Sequence, residues 1–210
     1  MQAVHVAAKL GIADLVARGP KTVPELADAT HTHGPSLGRL LRALTSLGIF
    51  GEDEPGQYSQ SPLSDVLRTD HPESIRQWAM MLGAGFIWKP IGELAVTIGN
   101  GQPAFEQVYG AQFFRYLAEH PDDSAVFNAA MSSVPAYIAA IINGYLLIFD
   151  TVLTPSSDPA QTMMDVLMMV LTGGRERTES EFRSLLRDAG FSLVKVIPTM
   201  GASILETRPI

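Results

Sequence analysis

The fold turns on the stretch Ile141-Ile142-Asn143-Gly144-Tyr145-Leu146-Leu147-Ile148-Phe149-Asp150-Thr151-Val152. Residues 145–152 are a near-continuous apolar run, which suits a strand buried on both faces. Upstream, residues 62–142 read as helices punctuated by Gly and Pro, with candidates at 64–67, 73–82, 88–98, 111–119 and 122–142. His120-Pro121 separates the last two, because the residue before a proline leaves helical geometry and Asp122 then caps the next helix. Pro135 predicts a kink or a split in the final helix. Downstream, residues 158–171 form a Met-rich helix. Thr178-Glu179-Ser180-Glu181 is a capping box that opens a helix over 179–189, closed by Gly190. Residues 192–198 and 203–207 are two strands turning through Met200-Gly201. Strand, helices, strand, strand is the tail of an α/β sheet without its beginning.

The N-terminal side has a different texture. Val4, Ala7, Ala8, Ile12, Leu15 and Val16 fall near a 3.6-residue period, a helix over 2–17 ended by Gly19-Pro20. Thr22-Val23-Pro24-Glu25 caps a short helix over 24–29. Leu37, Leu40, Leu41, Leu44 and Leu47 define a third, which stops at Gly48. Ile49-Phe50, the turn 52–56 and Gln57-Tyr58-Ser59 then form a β-hairpin. Short helix, short helix, longer helix and hairpin together spell a winged helix-turn-helix. The expected fold class is therefore mainly α with small β elements. Residues 1–70 are the winged-helix region, 71–142 a helical region and 143–210 the α/β remnant.

Composition narrows the function. The 210 residues are 46% hydrophobic and 18% charged, enough for a buried core. No cysteine is present, which excludes disulfides, thiolate metal sites and a Cys nucleophile. The formal net charge is -7, a poor match for nucleic acid or anionic lipid. A DNA-reading winged helix presents basic residues on its third helix and wing. Here the helix offers Arg39 and Arg42 while the wing carries Glu52, Asp53 and Glu54. No apolar run approaches the roughly 18 residues of a membrane span, and residues 1–18 do not read as a signal peptide. The expected setting is the cytoplasm, with no nucleic-acid or membrane partner. His31-x-His33 lacks an acidic ligand in its turn, so no metal site is assigned.

An ordered set of motifs carries a family likeness. Pro103-Ala104-Phe105-Glu106, Phe113-Phe114 with Tyr116-Leu117, and Phe127-Asn128-Ala129-Ala130-Met131 occur in that order. Asp165 then precedes Gly173-Gly174-Arg175-Glu176-Arg177-Thr178, followed by Phe182, Leu185-Leu186 and Ala189-Gly190-Phe191. The chain resembles the S-adenosylmethionine-dependent O-methyltransferases of the caffeate and hydroxyindole type, including bacterial enzymes that tailor aromatic polyketides. The resemblance implies a winged-helix and helical dimerisation region, a Rossmann-like cofactor domain, a homodimer, and methyl transfer to a hydroxyl of an aromatic or polyketide-like acceptor.

It also implies residues that are missing. After Met131 the family continues into a strand, a glycine-rich loop, an acidic ribose partner and a His-Asp pair carrying the base. Here Ile142 runs directly into Asn143-Gly144 and the late strand, so about a hundred residues of an ordinary-sized domain are absent. Cofactor binding in such folds needs a strand-to-helix turn whose glycines admit the nucleotide, with a carboxylate for the ribose. Gly83-Ala84-Gly85, Gly99-Asn100-Gly101 and Gly173-Gly174 lack that context, so no residue is assigned to the cofactor. A phenol near pKa 10 also needs a base before it attacks a sulfonium methyl. By resemblance Asp150 and Glu176 are the acids that orient such a base. None of His5, His31, His33, His71 and His120 matches it.

For Asp150 and Glu176 a second reading stays open: a strand-end carboxylate and a surface partner of Arg175 or Arg177. Trp88, Phe105, Phe127, Met131, Met164 and Met168 are the candidate residues for binding a small aromatic acceptor, with Met supplying adaptable apolar surface; ordinary core packing is their alternative. The sequence thus predicts a truncated O-methyltransferase, unable to bind S-adenosylmethionine or catalyse. The alternative is a catalytically inactive dimeric ligand-binding or scaffold protein.

Overall fold

The computed structural model describes residues 1–133, 139–142, 145–199 and 202–210. It divides into two compact units, Met1–Trp88 with His120–Val134, and Lys89–Glu119 with Pro135–Ile210. Both are dominated by helices with small sheets, the expected fold class.

The first unit begins with α1 (Gln2–Leu10) and α2 (Ile12–Val16), which the sequence predicts as one helix. Gly11 divides them by taking φ +67°, a left-handed conformation that its missing Cβ makes cheap. β1 (Lys21–Thr22) leads into α3 (Val23–Thr30) through the expected capping box, in which Thr22 N donates to Glu25 Oε2 at 2.8 Å. α4 (Gly34–Ser46) follows, then the wing strands β2 (Gly51–Glu54) and β3 (Gln57–Ser59). The three strands make one antiparallel sheet in the order β1-β3-β2. Ile12, Leu26, Leu41 and Leu44 are wholly buried between these elements, with Val16, Phe50 and Tyr58 beside them. That burial, roughly 1.5–3 kcal/mol for each large side chain, holds the winged helix together.

α5 (Pro62–Asp65), capped by Ser61, and α6 (Arg76–Gly83) continue the unit, and α7 (Gly85–Gly92) spans the boundary to the second. In the second unit come α8 (Leu94–Asn100), α9 (Ala104–Tyr109) and α10 (Phe113–Glu119). The helix expected over 88–98 is thus two helices. α11 (Pro121–Ser132) returns to the first unit and packs on α6.

The sequence predicts a single helix over 122–142; α11 instead ends at Ser132, and β4 (Ala139–Ile142) is a strand. It pairs antiparallel with β5 (Tyr145–Asp150), Ile142 opposite Tyr145 and Ala139 opposite Ile148. The intervening dipeptide is Asn-Gly, the strongest short hairpin signal in a sequence. The kink or split expected at Pro135 and the turn at Met200-Gly201 lie outside the described residues. β5 stops at Asp150, short of the expected Val152, and β6 (Val152–Leu153) pairs elsewhere.

α12 (Pro159–Thr172), β7 (Arg177–Thr178), α13 (Glu179–Asp188), β8 (Phe191–Pro198) and β9 (Ser203–Pro209) complete the chain. The main sheet runs β4-β5-β9-β8, antiparallel at every pairing. β5 therefore has a neighbour on each side. Its residues 146–150 are half-buried, not covered on both faces as the apolar run suggested. One face of the sheet packs beneath α13, where Phe182, Leu186, Leu193 and Leu205 are buried. Thr207, wholly buried, donates from Oγ1 to the Leu146 carbonyl at 2.9 Å, so the core there leaves no unpaired hydroxyl. Among the described residues no helix is long and apolar enough to cross a membrane.

Candidate functional site

The Gly-Gly-Arg-Glu-Arg-Thr run sits where α12 ends. Gly173 takes φ +68° and closes the helix, and β7 then lies parallel to β6, Val152 opposite Arg177. That register draws Glu176, one residue before Arg177, toward Asp150, two residues before Val152. Asp165, on α12, accepts a hydrogen bond from Glu176 N at 2.7 Å. Three carboxylates, from β5, α12 and the turn before β7, thus share one half-buried place, with the Arg177 guanidinium acting on two of them.

Their electrostatics follow from that crowding. Burial pushes Glu176 up to about 7, and the charges of Asp150 and Asp165 add to it, while Arg177 opposes. Burial also raises Asp150; the Thr151 amide, which donates to Oδ1 at 2.8 Å, and Arg177 pull the other way. A carboxyl near 7 is divided between its two forms at neutral pH, so Glu176 can donate a hydrogen bond or accept a proton.

The structure brings Asp150 and Glu176 together and adds Asp165 and Arg177, to which the sequence reading gave no role at a site. Asp165 lies eleven positions before Glu176, and α12 ends at Thr172 between them, so no single element relates the two. All five histidines belong to the first unit, whereas the carboxylates belong to the second. His5 packs along α6 with Nδ1 3.3 Å from the Ala79 carbonyl. His33 bonds Ser36 Oγ at 2.9 Å, and His71 lies 3.5 Å from Asp65. Among the described residues no group of three or more acids and histidines is arranged to hold a metal.

The candidate acceptor residues are distributed between the units. Trp88, 38% exposed, and the half-buried Phe127 and Met131 of α11 lie in the first. Phe105, Met164 and Met168 lie in the second. Met164 and Met168 are one turn apart on α12 and half-buried. Phe105 is 0% exposed, with the rings of Tyr109, Phe113 and Tyr116 centred 4.9, 5.0 and 5.3 Å away. Edge-on packing of this kind makes its ring the centre of an aromatic core.

The glycine pairs have local structural explanations. Gly83 lies against His5, Gly101 ends α8 in a left-handed conformation, and Gly173 closes α12 beside Pro103. None follows a strand and opens a helix.

A winged-helix unit followed by an α/β unit is the arrangement that the resemblance to two-domain O-methyltransferases implied. Residues 1–70 match the O-methyltransferase dimerisation domain, and residues 136–192 match the O-methyltransferase domain. The chain belongs to that family, among bacterial phenazine and polyketide relatives. Phenazine O-methyltransferase PhzM of Lysobacter antibioticus is 29% identical over 316 residues, covering 100% of this chain and 92% of that protein. Because this chain has 210 residues, the difference consists of residues of the relative with no counterpart here. The 2,7-dihydroxy-5-methyl-1-naphthoate 7-O-methyltransferase of Streptomyces carzinostaticus is 40% identical over 62% of this chain, which spans only 40% of that relative. The crystal structure of LaPhzM matches with a TM-score of 0.85 and 28% identity, over 100% of this chain and 95% of that one. CalO1, solved in its S-adenosylhomocysteine-bound form, shares the fold with a TM-score of 0.82 at 20% identity, over 99% of this chain and 93% of its own.

Proposed function

We propose that this chain is a dimeric, ligand-binding derivative of the aromatic O-methyltransferases that does not itself bind S-adenosylmethionine or transfer a methyl group. The observation that carries the reading is the antiparallel pairing of β4 with β5. A nucleotide cradle in an α/β sheet forms at the carboxyl end of a strand that runs through a glycine turn into a helix N-terminus, next to a parallel neighbour. Here the strand beside β5 is its own hairpin partner, and every pairing in that sheet is antiparallel. The one parallel pairing among the described residues, β6 with β7, is two residues long. The glycine pairs at helix ends do not fit the cofactor either, so no catalytic step is assigned to this chain.

The dimerisation region and the acceptor side are the parts of the family that remain here. The match of residues 1–70 supports a homodimer. By their names, the relatives act on phenazine and dihydroxynaphthoate rings, so the ligand we assign is a small hydroxylated aromatic. Met164 and Met168 are its apolar contacts, and the Asp150–Glu176 pair is the hydrogen-bonding group for its hydroxyl. We place the protein in the cytoplasm, and a scaffold role beside a full-length relative uses the same dimer surface. Calorimetric titration with S-adenosylmethionine tests the reading. No saturable heat is expected; micromolar binding overturns it. Light scattering is expected to give the mass of a dimer, and a monomer at all concentrations removes the partner half of the proposal.

A further inference from the structure

The first unit contains a cleft that the carboxylate site does not involve. It lies between α3, α4 and the wing and has a volume of about 680 Å³, inside the range of small-molecule sites, roughly 300–1,000 Å³. Val23, Pro24 and Pro35 give it apolar walls. Gly34 and Gly38, one turn apart on α4, also line it, and they let Val23 of α3 pack close to that helix.

Its polar groups are few and unspent. Tyr58 lines the cleft yet is only 2% exposed, and its phenol makes no hydrogen bond among the described residues. Its hydroxyl is not sealed from solvent, so it is free to exchange water for a ligand in the cleft. Burial and the Glu52 charge push the phenol up, with Arg42 opposing, so it stays protonated and able to donate. Arg42 also lines the cleft and makes no ion pair among the described residues. Glu52 accepts from Gly56 N through Oε1 at 2.7 Å, which leaves Oε2 available.

Two donors, one spare carboxylate oxygen and apolar walls specify a ligand. We propose that this cleft binds a small planar aromatic acid carrying an amino or hydroxyl group on its ring. The ligand carboxylate pairs with Arg42, the Tyr58 hydroxyl donates to it or to a ring substituent, and the ring donor reaches Glu52. The ring itself lies against Val23, Pro24 and Pro35.

Ligand-observed NMR and calorimetry with 4-aminobenzoate test this on the full chain, with 4-aminobenzamide as the uncharged control and benzoate as the control without a ring donor. Saturable binding of 4-aminobenzoate is expected, weaker by about tenfold or more for the benzamide, because a hydrogen bond to a charged group is lost. Arg42→Met, which keeps the aliphatic stem, weakens binding by the same factor. Tyr58→Phe weakens it several-fold with an unchanged melting temperature, so a folding failure of one variant leaves the other informative. Asp150→Asn and Glu176→Gln leave it unaltered, which separates this cleft from the acceptor site proposed above. Binding that survives both Arg42→Met and Tyr58→Phe, or no binding at all, overturns the proposal. So does a dimer mass that falls in Arg42→Met, since the cleft is then an interface between copies.

Discussion

Gly83→Ala tests the helix crossing that fixes the first unit. The last residue of α6 lies so close to α1 that a Cβ built on Gly83 falls inside van der Waals contact of Cβ and Cγ of His5, and 2.6 Å from its Nδ1. Ordinary contact begins near 3.4 Å. Rotating the imidazole does not relieve the overlap, because the His5 Cβ is carried by the α1 backbone. The helices must separate by about an ångström, and overpacking of that kind costs about 1–3 kcal/mol. Separation also stretches the Gln2 Nε2 bond to the Gly83 carbonyl, at 3.0 Å, and the His5 contact with the Ala79 carbonyl, each worth about 1 kcal/mol. Replacing a helical glycine returns roughly 0.5–1 kcal/mol. The net destabilisation is about 2–3 kcal/mol, or a fall in Tm of about 5–10 °C for a chain of this size. Thermal melts followed by circular dichroism measure it. His5→Ala should not rescue the variant, since the Cβ remains, whereas His5→Gly should make Gly83→Ala nearly neutral in its background. A Gly83→Ala melt that coincides with the parent's, or rescue by His5→Ala, refutes the close crossing.

Other perturbations probe the carboxylate site and the aromatic core. Glu176 sits at about 7 in the fold against an ordinary 4.5, so the native state binds protons more tightly than the unfolded chain. Stability should therefore fall as pH rises from 4.5 through 7, and Glu176→Gln should raise Tm at pH 8 while changing little at pH 4.5; equal shifts at both would contradict the assignment. Asp165→Asn keeps an oxygen for the Glu176 amide but removes one of the charges that raise it. NMR titration of Glu176 should then move downward, and an unmoved midpoint would place Asp165 outside its field. Phe105→Ala should cost about 3–5 kcal/mol in chemical denaturation, the range for emptying an aromatic core position. Trp88→Ala, partly exposed, should cost distinctly less, and the reverse order would mean that Phe105 lines an open pocket instead.

Local chemistry was readable wherever cause and effect lie within one helical turn. Thr22 with Glu25 and Thr178 with Glu181 close their capping boxes in the structure, and Gly48 and Gly190 follow helices as expected. The Leu37, Leu41, Leu44 stripe is buried. Residues 139–142 escaped this reading because an Ala-Ala-Ile-Ile segment fits either period. Its strand character comes from its antiparallel pairing with β5. Asp165 escaped for a related reason: its partner amide lies across the α12–β7 turn, and only the folded register brings them to 2.7 Å. Phe105 shows the limit for single residues, since a ring in a family motif reads the same whether it faces a ligand or three other rings.

Alone, the order of residues determined the winged helix, the α/β character of the last third and the kinship with O-methyltransferases. Each rests on periodicity, caps or a motif, all encoded in neighbouring positions. Tertiary structure decided that β5 gains an antiparallel hairpin partner, that Glu176 titrates near neutrality, and that α11 joins the first unit while α8 to α10 join the second. These depend on burial and on charges brought together from distant positions, and neither exists before the chain has folded.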